Sequence, residues 1–331
     1  MEIFLAVILC AVGGISVFFL SAGYVVYGAM MCSPRKRGTT TAAQEKGLNS
    51  GVFSHIRDER IMEPLLASKQ RWQEALTQGL IERLSVMSKK GVFLSGYYYS
   101  AEGEARKLVV LVHGILDSAA GLGYLAEEYH KRGWDVLNLD LRGHGESDGT
   151  RYTMGVREAE DLAIWIDLIQ KKWPKKEVLI HGISLGGATA LMYSGYPEVA
   201  ESPVKGVVSD SSFGSYKEAA KTLVTAVVRV GWIARGIVCC MSFFSILHTG
   251  IGFGKMRPEE AVTRKKIPVL AIHGEADALV PLATISGLLS GIQGLLDEVL
   301  IVPDAPHIGA YFYKPEAYMN HIEAFATRSM G

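Results

Sequence analysis

The pattern of apolar and polar positions divides the chain into a long apolar amino-terminal run and a region where short apolar runs alternate with longer segments. No charged residue occurs from Ile3 to Pro34, and about 20 apolar residues are enough to cross a bilayer. The run therefore predicts a transmembrane anchor over residues 1–34. The alternative is a cleaved signal peptide and secretion, but a signal peptide has a basic start and a shorter apolar core of roughly 7–15 residues.

A polar linker is predicted over residues 35–62. It begins with Arg35, Lys36 and Arg37, and its stretch Thr39–Gly51 has the composition of a tether. No Lys or Arg precedes the apolar run. Because basic residues flank membrane spans on the cytoplasmic side, the pattern predicts a single-pass membrane protein whose larger part faces the cytoplasm.

Residues 63–331 are predicted to form one α/β domain. Glu63–Leu80 has the spacing of an amphipathic helix, and Glu82–Ser88 and Val92–Ser100 flank a turn in the manner of a hairpin. Six aliphatic runs then alternate with helical or longer segments, as in a parallel sheet buried on both faces. These runs are Val109–Val112, Val136–Leu139, Val178–Ile180, Val204–Val208, Val269–Ile272 and Val299–Val302. The pattern predicts a mostly parallel eight-stranded sheet with helices on both faces.

The segment 214–266 is too long for a simple crossover between two strands. Apolar residues recur at helical spacing from Leu223 to Met241, which predicts an inserted helical cap or lid.

Composition limits the kinds of partner. Lys plus Arg and Asp plus Glu each number 34, so no net charge favours binding to nucleic acid. The four cysteines form neither a disulfide framework nor a C-x-x-C pattern. No cluster of side chains has the spacing of a metal site.

The strongest chemical signal is the pentapeptide GISLG at Gly182–Gly186, which follows an apolar run and precedes a helix-compatible segment. In a nucleophile elbow, glycines make room for a strained turn between strand and helix on which the serine hydroxyl is exposed. A common Gly-Ser turn would give the same five letters, but it would not require this strand and this helix. Ser184 is therefore the predicted nucleophile.

From Glu82 onward the chain resembles the α/β-hydrolase fold superfamily, in particular the serine hydrolases related to monoacylglycerol lipases and serine aminopeptidases. Besides GISLG, the resemblance rests on LVHGILDS at Leu111–Ser118, DLRGHGESDG at Asp140–Gly149, HGEADALVP at His273–Pro281 and PDAPHIGAY at Pro303–Tyr311.

The resemblance implies a catalytic triad in which Ser184 attacks, His307 acts as base and then acid, and Asp277 orients the histidine. The order Ser, Asp, His along the chain is that of this fold. Asp210, which ends the preceding strand, is the alternative acid. The resemblance also implies an oxyanion hole formed by the backbone amides of Ile115 and Leu185.

The implied activity is that of a serine hydrolase that cleaves a carboxylic ester or thioester of a small or lipid-like acyl substrate through an acyl-enzyme, with no cofactor and no metal. Ile183 stands where lipase-like members often carry histidine, so the branch within the superfamily stays open. An amidase or peptidase, and a non-catalytic binding protein of the same fold, are the alternatives.

The cap is predicted to act on the substrate. Its side chains Trp232, Phe243 and Phe244 are expected to line or cover the approach to Ser184. A second membrane span is not expected there, because the uncharged window Gly236–Leu247 is only about half the required length. The sequence predicts no oligomeric state.

Overall fold

A computed structural model describes residues 2–33 and 58–331, with side chains described from residue 13 onward within these ranges. The predicted basic cluster Arg35–Arg37 and the predicted tether Thr39–Gly51 lie outside the described residues.

The centre of the fold is an eight-stranded sheet with the strand order β1-β2-β4-β3-β5-β6-β7-β8. β2 pairs antiparallel with β1 and β4, and every other neighbouring pair is parallel. The strands are β1 (Ile81–Met87), β2 (Phe93–Tyr99), β3 (Lys107–Val112), β4 (Asp135–Leu139), β5 (Glu177–Ile183), β6 (Val204–Asp210), β7 (Val269–Gly274) and β8 (Glu298–Val302). The predicted fold class, a mostly parallel sheet of the α/β-hydrolase type, is confirmed.

The middle strands are buried on both faces. Along β3, Leu108, Val110 and Val112 pack into one apolar core, whereas Val109 and Leu111 pack into a second core on the opposite face. Successive side chains of a strand point to opposite faces, so a continuous aliphatic run is needed where both faces are covered. The six apolar runs in the sequence carry this signal.

Helices cover both faces. They are α1 (Glu2–Met31), α2 (Glu59–Thr77), α3 (Gly123–Lys131), α4 (Val156–Lys172), α5 (Leu185–Ser194), α6 (Tyr216–Val228), α7 (Gly231–Thr249), α8 (Pro258–Val262), α9 (Ser286–Ser290), α10 (Ala310–Tyr313) and α11 (Pro315–Met330). α2 begins earlier than the predicted Glu63 because Asp58 caps it: the Asp58 carboxylate accepts a hydrogen bond from the Arg60 amide at 3.0 Å.

The segment predicted as a helical cap contains α6, α7 and α8. The helical spacing from Leu223 to Met241 runs through two helices rather than one, because Arg229 adopts a left-handed conformation with φ 56° and ends α6. Both helices bury apolar side chains, including Val224 in α6 and Ile237 in α7. The chain therefore forms a helical hairpin with its turn at Arg229 and Val230.

The carboxyl-terminal half of α1 packs along α7. A Cβ on Gly23 would overlap the Cβ of Cys240, and a Cβ on Gly236 would overlap the ring of Phe19. These two glycines let the helix backbones approach closely, as small residues do between packed apolar helices. The Tyr27 ring stacks on His248 with a centroid distance of 5.4 Å.

The end of α1 is fixed to the loop before α4 by backbone hydrogen bonds. The amide of Tyr152 donates to the Met31 carbonyl at 3.0 Å, and the Ser33 amide donates to the Thr150 carbonyl at 3.0 Å. The Ser33 hydroxyl donates to the Gly143 carbonyl at 2.8 Å. Met31 and Ser33 are buried. The position of α1 relative to the sheet is therefore set by direct contacts.

Two helices in the described part of the chain are long and apolar enough to cross a membrane, judged by length and composition alone: Gly13–Met31 within α1, and Gly231–Thr249, which is α7. The second is longer than the predicted window Gly236–Leu247 because the helix extends through Arg235 to Gly231.

Candidate active site

Ser184 stands on a strained turn between β5 and α5. Its backbone has φ 52° and ψ −110°, a conformation that a non-glycine residue adopts only when its surroundings enforce it. A Cβ on Gly186 would overlap the Val112 carbonyl, and a Cβ on Gly182 would overlap the backbone of Gly186. The two glycines of the GISLG motif are therefore required by close backbone packing, which holds the serine in place.

Three loops at the carboxyl ends of strands bring the predicted triad together. The Nε2 atom of His307, in the loop after β8, lies 3.1 Å from the Ser184 Oγ atom. The Nδ1 atom of His307 lies 2.7 Å from the Oδ2 atom of Asp277, which follows β7. This is the geometry in which a histidine accepts the serine proton while a carboxylate orients the ring.

The Asp277 carboxylate is buried, and both of its oxygen atoms have polar partners. Its Oδ1 atom accepts hydrogen bonds from the amides of Leu279 and Val280 at 2.9 and 2.8 Å, and its Oδ2 atom lies 3.2 Å from His273 Nε2. Burial by itself raises the pKa of Asp277, but the hydrogen bonds from His273 and His307 outweigh it and bring the pKa below its ordinary value. The carboxylate therefore stays ionised, and His307 carries its proton on Nδ1.

His273, at the end of β7, braces the loop that follows, because its Nε2 atom lies 2.7 Å from the Val280 carbonyl. Its contact with Asp277 was not predicted from the sequence. The spacing His273 to Asp277 across the end of β7 is the signal in the sequence that places the two side chains together.

The alternative acid, Asp210, faces a different set of partners. Its carboxylate accepts hydrogen bonds from the Ser211 hydroxyl and from the Tyr318 hydroxyl, both at 2.8 Å. The Ser211 hydroxyl in turn accepts a hydrogen bond from the amide of Ile308 at 3.1 Å. Asp210 therefore supports the loop that carries His307, and it is Asp277 whose carboxylate contacts the imidazole.

The two residues predicted to supply oxyanion amides, Ile115 and Leu185, line the same cavity as Ser184. Leu185 is the first residue of α5, where backbone amides have no intrahelical acceptor. The loop carrying Ile115 lies against the elbow, since a Cβ on Gly114 would be 3.5 Å from the Ser184 Cβ. His113 holds this loop: its Nδ1 lies 2.6 Å from the Gly114 carbonyl, and its Nε2 accepts from the Leu141 amide at 3.0 Å.

A cavity of about 520 Å³ adjoins Ser184, a volume within the range of small-molecule sites. Its walls come from α1, α6, α7 and the loops that carry Ile115 and Val280. Within the described chain, Ser184 and Tyr216 are the residues with polar side chains in this lining. The cavity therefore suits an apolar group attached to the bond that Ser184 reaches.

The cap aromatics predicted to line the approach do not belong to the described lining of this cavity. Phe244 packs on Tyr24 of α1 with a centroid distance of 5.0 Å, and Trp232 packs on Phe19 at 6.2 Å. Phe243 and Trp232 are largely exposed. Helical spacing shows which residues share a face but not which neighbour that face meets, and Phe244 and Trp232 meet α1.

In the described residues no group of three or more His, Cys, Asp or Glu side chains has an arrangement that would hold a metal ion.

Comparison with known proteins finds sequence similarity to hydrolases. Residues 103–238 match the family described as serine aminopeptidase, S33 (Hydrolase_4). YqkD of Bacillus subtilis is 24% identical over 83% of this chain and 90% of the relative. A monoacylglycerol lipase of Mycolicibacterium smegmatis is 25% identical over 56% of this chain and 75% of the relative.

Solved structures share the fold. The Pyrococcus furiosus esterase Pf2001 superposes with a TM-score of 0.62 at 20% identity, covering 78% of this chain and 94% of the esterase. A bacterial membrane phospholipase A gives a TM-score of 0.56 at 16% identity, covering 85% of this chain and 96% of the phospholipase.

The chain has the α/β-hydrolase fold. In sequence it is similar to the serine aminopeptidase family and to a monoacylglycerol lipase. The matched family and the esterase and lipase among its relatives support a hydrolase of the esterase- and lipase-like kind.

Proposed function

We propose that the protein is a membrane-anchored serine hydrolase that cleaves a carboxylic ester or thioester of an apolar acyl group through an acyl-enzyme. The observation that carries the proposal is the hydrogen-bonded series Ser184, His307 and Asp277, with the serine at the wall of an apolar cavity.

The proposed reaction begins when the Ser184 Oγ attacks the acyl carbonyl carbon while His307 Nε2 accepts the hydroxyl proton. The amides of Ile115 and Leu185 donate to the developing oxyanion. Collapse of the tetrahedral intermediate breaks the bond to the leaving group, which takes the proton from His307. Water then attacks the acyl-enzyme by the same route, which releases the acid and restores the serine.

The composition of the cavity favours an ester or thioester over a peptide. An aminopeptidase has to bind a free ammonium group, and a buried ammonium needs a carboxylate or several carbonyl acceptors. No carboxylate belongs to the described lining of the cavity next to Ser184. An apolar acyl chain requires no such partner and gains from burial.

A fluorophosphonate probe tests the proposal. We expect it to label the full-length wild-type protein, to leave Ser184→Ala unlabelled, and to give an adduct that peptide mapping locates on Ser184. Ser290→Ala, which changes an exposed serine of α9, is the matched control and should label like the wild type. Equal labelling of Ser184→Ala and wild type would refute Ser184 as the nucleophile.

Membrane attachment is proposed to occur through α1, with the hydrolase domain in the cytoplasm. The proposed site argues against a crossing by α7 alone, because α7 lies between Ser184 and Asp277 in the chain and would place them on opposite sides of the bilayer. α1 precedes the whole domain and carries no such restriction.

Protease protection tests the orientation. We expect protease added to intact cells to spare the hydrolase domain and to digest it only after the membrane is permeabilised. Digestion from outside in intact cells would reverse the orientation, and release of a shortened protein into the medium would indicate a signal peptide.

A further inference from the structure

The helix α1 forms one wall of the cavity beside Ser184. Val25, Val26, Ala29 and Met30 all belong to its lining. Their spacing of three to four residues puts them on one face of the helix. The opposite wall includes Leu223, Val224 and Val227 of α6. The residues predicted as a membrane anchor thus continue directly into the substrate cavity.

This wall has a fixed distance from the nucleophile. The close contact of Gly23 with Cys240 joins α1 to the cap, and the hydrogen bonds of Met31 and Ser33 to the loop 143–152 join it to the sheet. Because both ends of the cavity-facing segment are held, its side chains set the width of the cavity.

The cavity opens on an apolar surface. Val25 and Val227 line the cavity and are nevertheless 68% and 75% exposed, so they stand at its mouth. Further large apolar side chains are exposed on α1 and at the α6–α7 turn; they are Phe18, Leu20, Tyr24, Val230 and Trp232.

The bilayer is the occupant that fits this surface. The surface lies on α1, which has 30 residues, carries no charged residue after Glu2 and exceeds the length needed for a span. Near the turn of the cap lie Trp232 and the exposed Arg229 and Arg235, residue types that favour the level of the lipid head groups. The mouth then faces the acyl chains of lipids in the same leaflet.

We infer that α1 is part of the acyl-binding site and that the substrate is a membrane-borne ester whose acyl chain enters from the bilayer between α1 and α6. The inference rests on the proposed serine hydrolase function and adds to it the substrate class and the route of entry. Ala29 and Met30 are the residues that determine how much acyl chain the cavity accepts.

The first test makes the cavity smaller with one substitution in α1 and larger with another. Both variants are made in the full-length protein and reconstituted in vesicles. Ala29→Phe fills the cavity, and Met30→Ala enlarges it. We expect the ratio of kcat/KM for a p-nitrophenyl octanoate to that for the acetate to fall about tenfold in Ala29→Phe, as loss of burial of about two methylenes predicts. The Met30→Ala variant should prefer esters with longer acyl chains than the wild type prefers. Ser21→Phe, an exposed position of α1 outside the lining, should keep the wild-type ratio.

The second test addresses entry from the membrane. Trp232→Asp places a charge on the apolar surface outside the cavity lining, and we expect it to lower hydrolysis of a vesicle-embedded long-chain ester about tenfold while hydrolysis of soluble p-nitrophenyl acetate stays unchanged. Leu295→Asp is the control, because Leu295 is fully exposed in the loop before β8, at the other end of the sheet from Ser184.

The outcomes separate the two proposals. A wild type that neither reacts with the fluorophosphonate nor hydrolyses esters overturns the proposed function and this inference with it. A labelled, active wild type whose octanoate to acetate ratio is the same in Ala29→Phe and Met30→Ala overturns the inference alone. Should Ala29→Phe fail to fold, Met30→Ala decides by the same ratio. An equal effect of Trp232→Asp on soluble and vesicle-borne esters overturns entry from the bilayer.

Discussion

Replacing either Ser184 or His307 with alanine is expected to lower kcat for ester hydrolysis about 10⁶-fold, and the double variant is expected to lose no more than either single variant. The reason is that the two side chains act as one unit: without the imidazole the hydroxyl keeps its proton, and without the hydroxyl the imidazole has no nucleophile to activate. Such groups show non-additive losses in serine hydrolases.

The measurement is steady-state hydrolysis of p-nitrophenyl butyrate by the purified full-length protein. His321→Ala is the matched histidine control. His321 lies on α11, away from Ser184, and contacts Glu298 at 2.8 Å. The His321→Ala variant should therefore have wild-type activity. Losses that multiply in the double variant would show that Ser184 and His307 act independently, and a Ser184→Ala variant with wild-type kcat would place the nucleophile elsewhere.

The strands and the triad could be predicted from the sequence for related physical reasons. A strand covered on both faces has to be aliphatic over its whole length, as Val109–Val112 and Val269–Ile272 are. Parallel strands then bring the residues that follow them to one edge of the sheet. Ser184, Asp277 and His307 each follow such a run, so their proximity follows from the topology.

The role of α1 could not be predicted in this way. A helix face that lines a cavity and one that meets lipid are both composed of residues such as Val25 and Val26, and their apolar composition does not distinguish the two. The available signal was steric: Gly23 and Gly236 lie within apolar helices, where small residues mark close helix contacts. For the same reason the contact of Phe244 with α1 could not be predicted, because Phe244 packs on an element more than two hundred residues earlier in the chain.

The end of α6 within the cap could not be predicted from the sequence either. Arg229 takes the left-handed conformation that glycine or asparagine usually supplies at the end of a helix, and the apolar spacing continues through it. The glycine that would signal a turn, Gly231, instead begins α7. Tertiary packing of α6 and α7 on each other therefore decides where the chain turns.

Asp277→Asn is expected to lower kcat about 10⁴-fold with the fold intact, whereas Asp210→Asn is expected to lower it less than about tenfold. In Asp277→Asn the amide oxygen can keep the two hydrogen bonds from the amides of Leu279 and Val280. The NH₂ group is then left facing His307 Nδ1, which becomes an acceptor. The proton of the neutral ring moves to Nε2, and Nε2 can no longer accept the proton of Ser184.

Asp210→Asn removes one acceptor from a different set of contacts. Its partners are the hydroxyls of Ser211 and Tyr318, and Ser211 supports the loop after His307 through the amide of Ile308. We therefore expect a lower Tm and a small shift of the loop, with the imidazole tautomer unchanged. The two variants are compared by kcat on one soluble ester and by thermal unfolding. If Asp210→Asn shows the larger loss of kcat and Asp277→Asn the larger loss of Tm, the acid that orients His307 is Asp210, and the contact between His307 and Asp277 serves the stability of the loop.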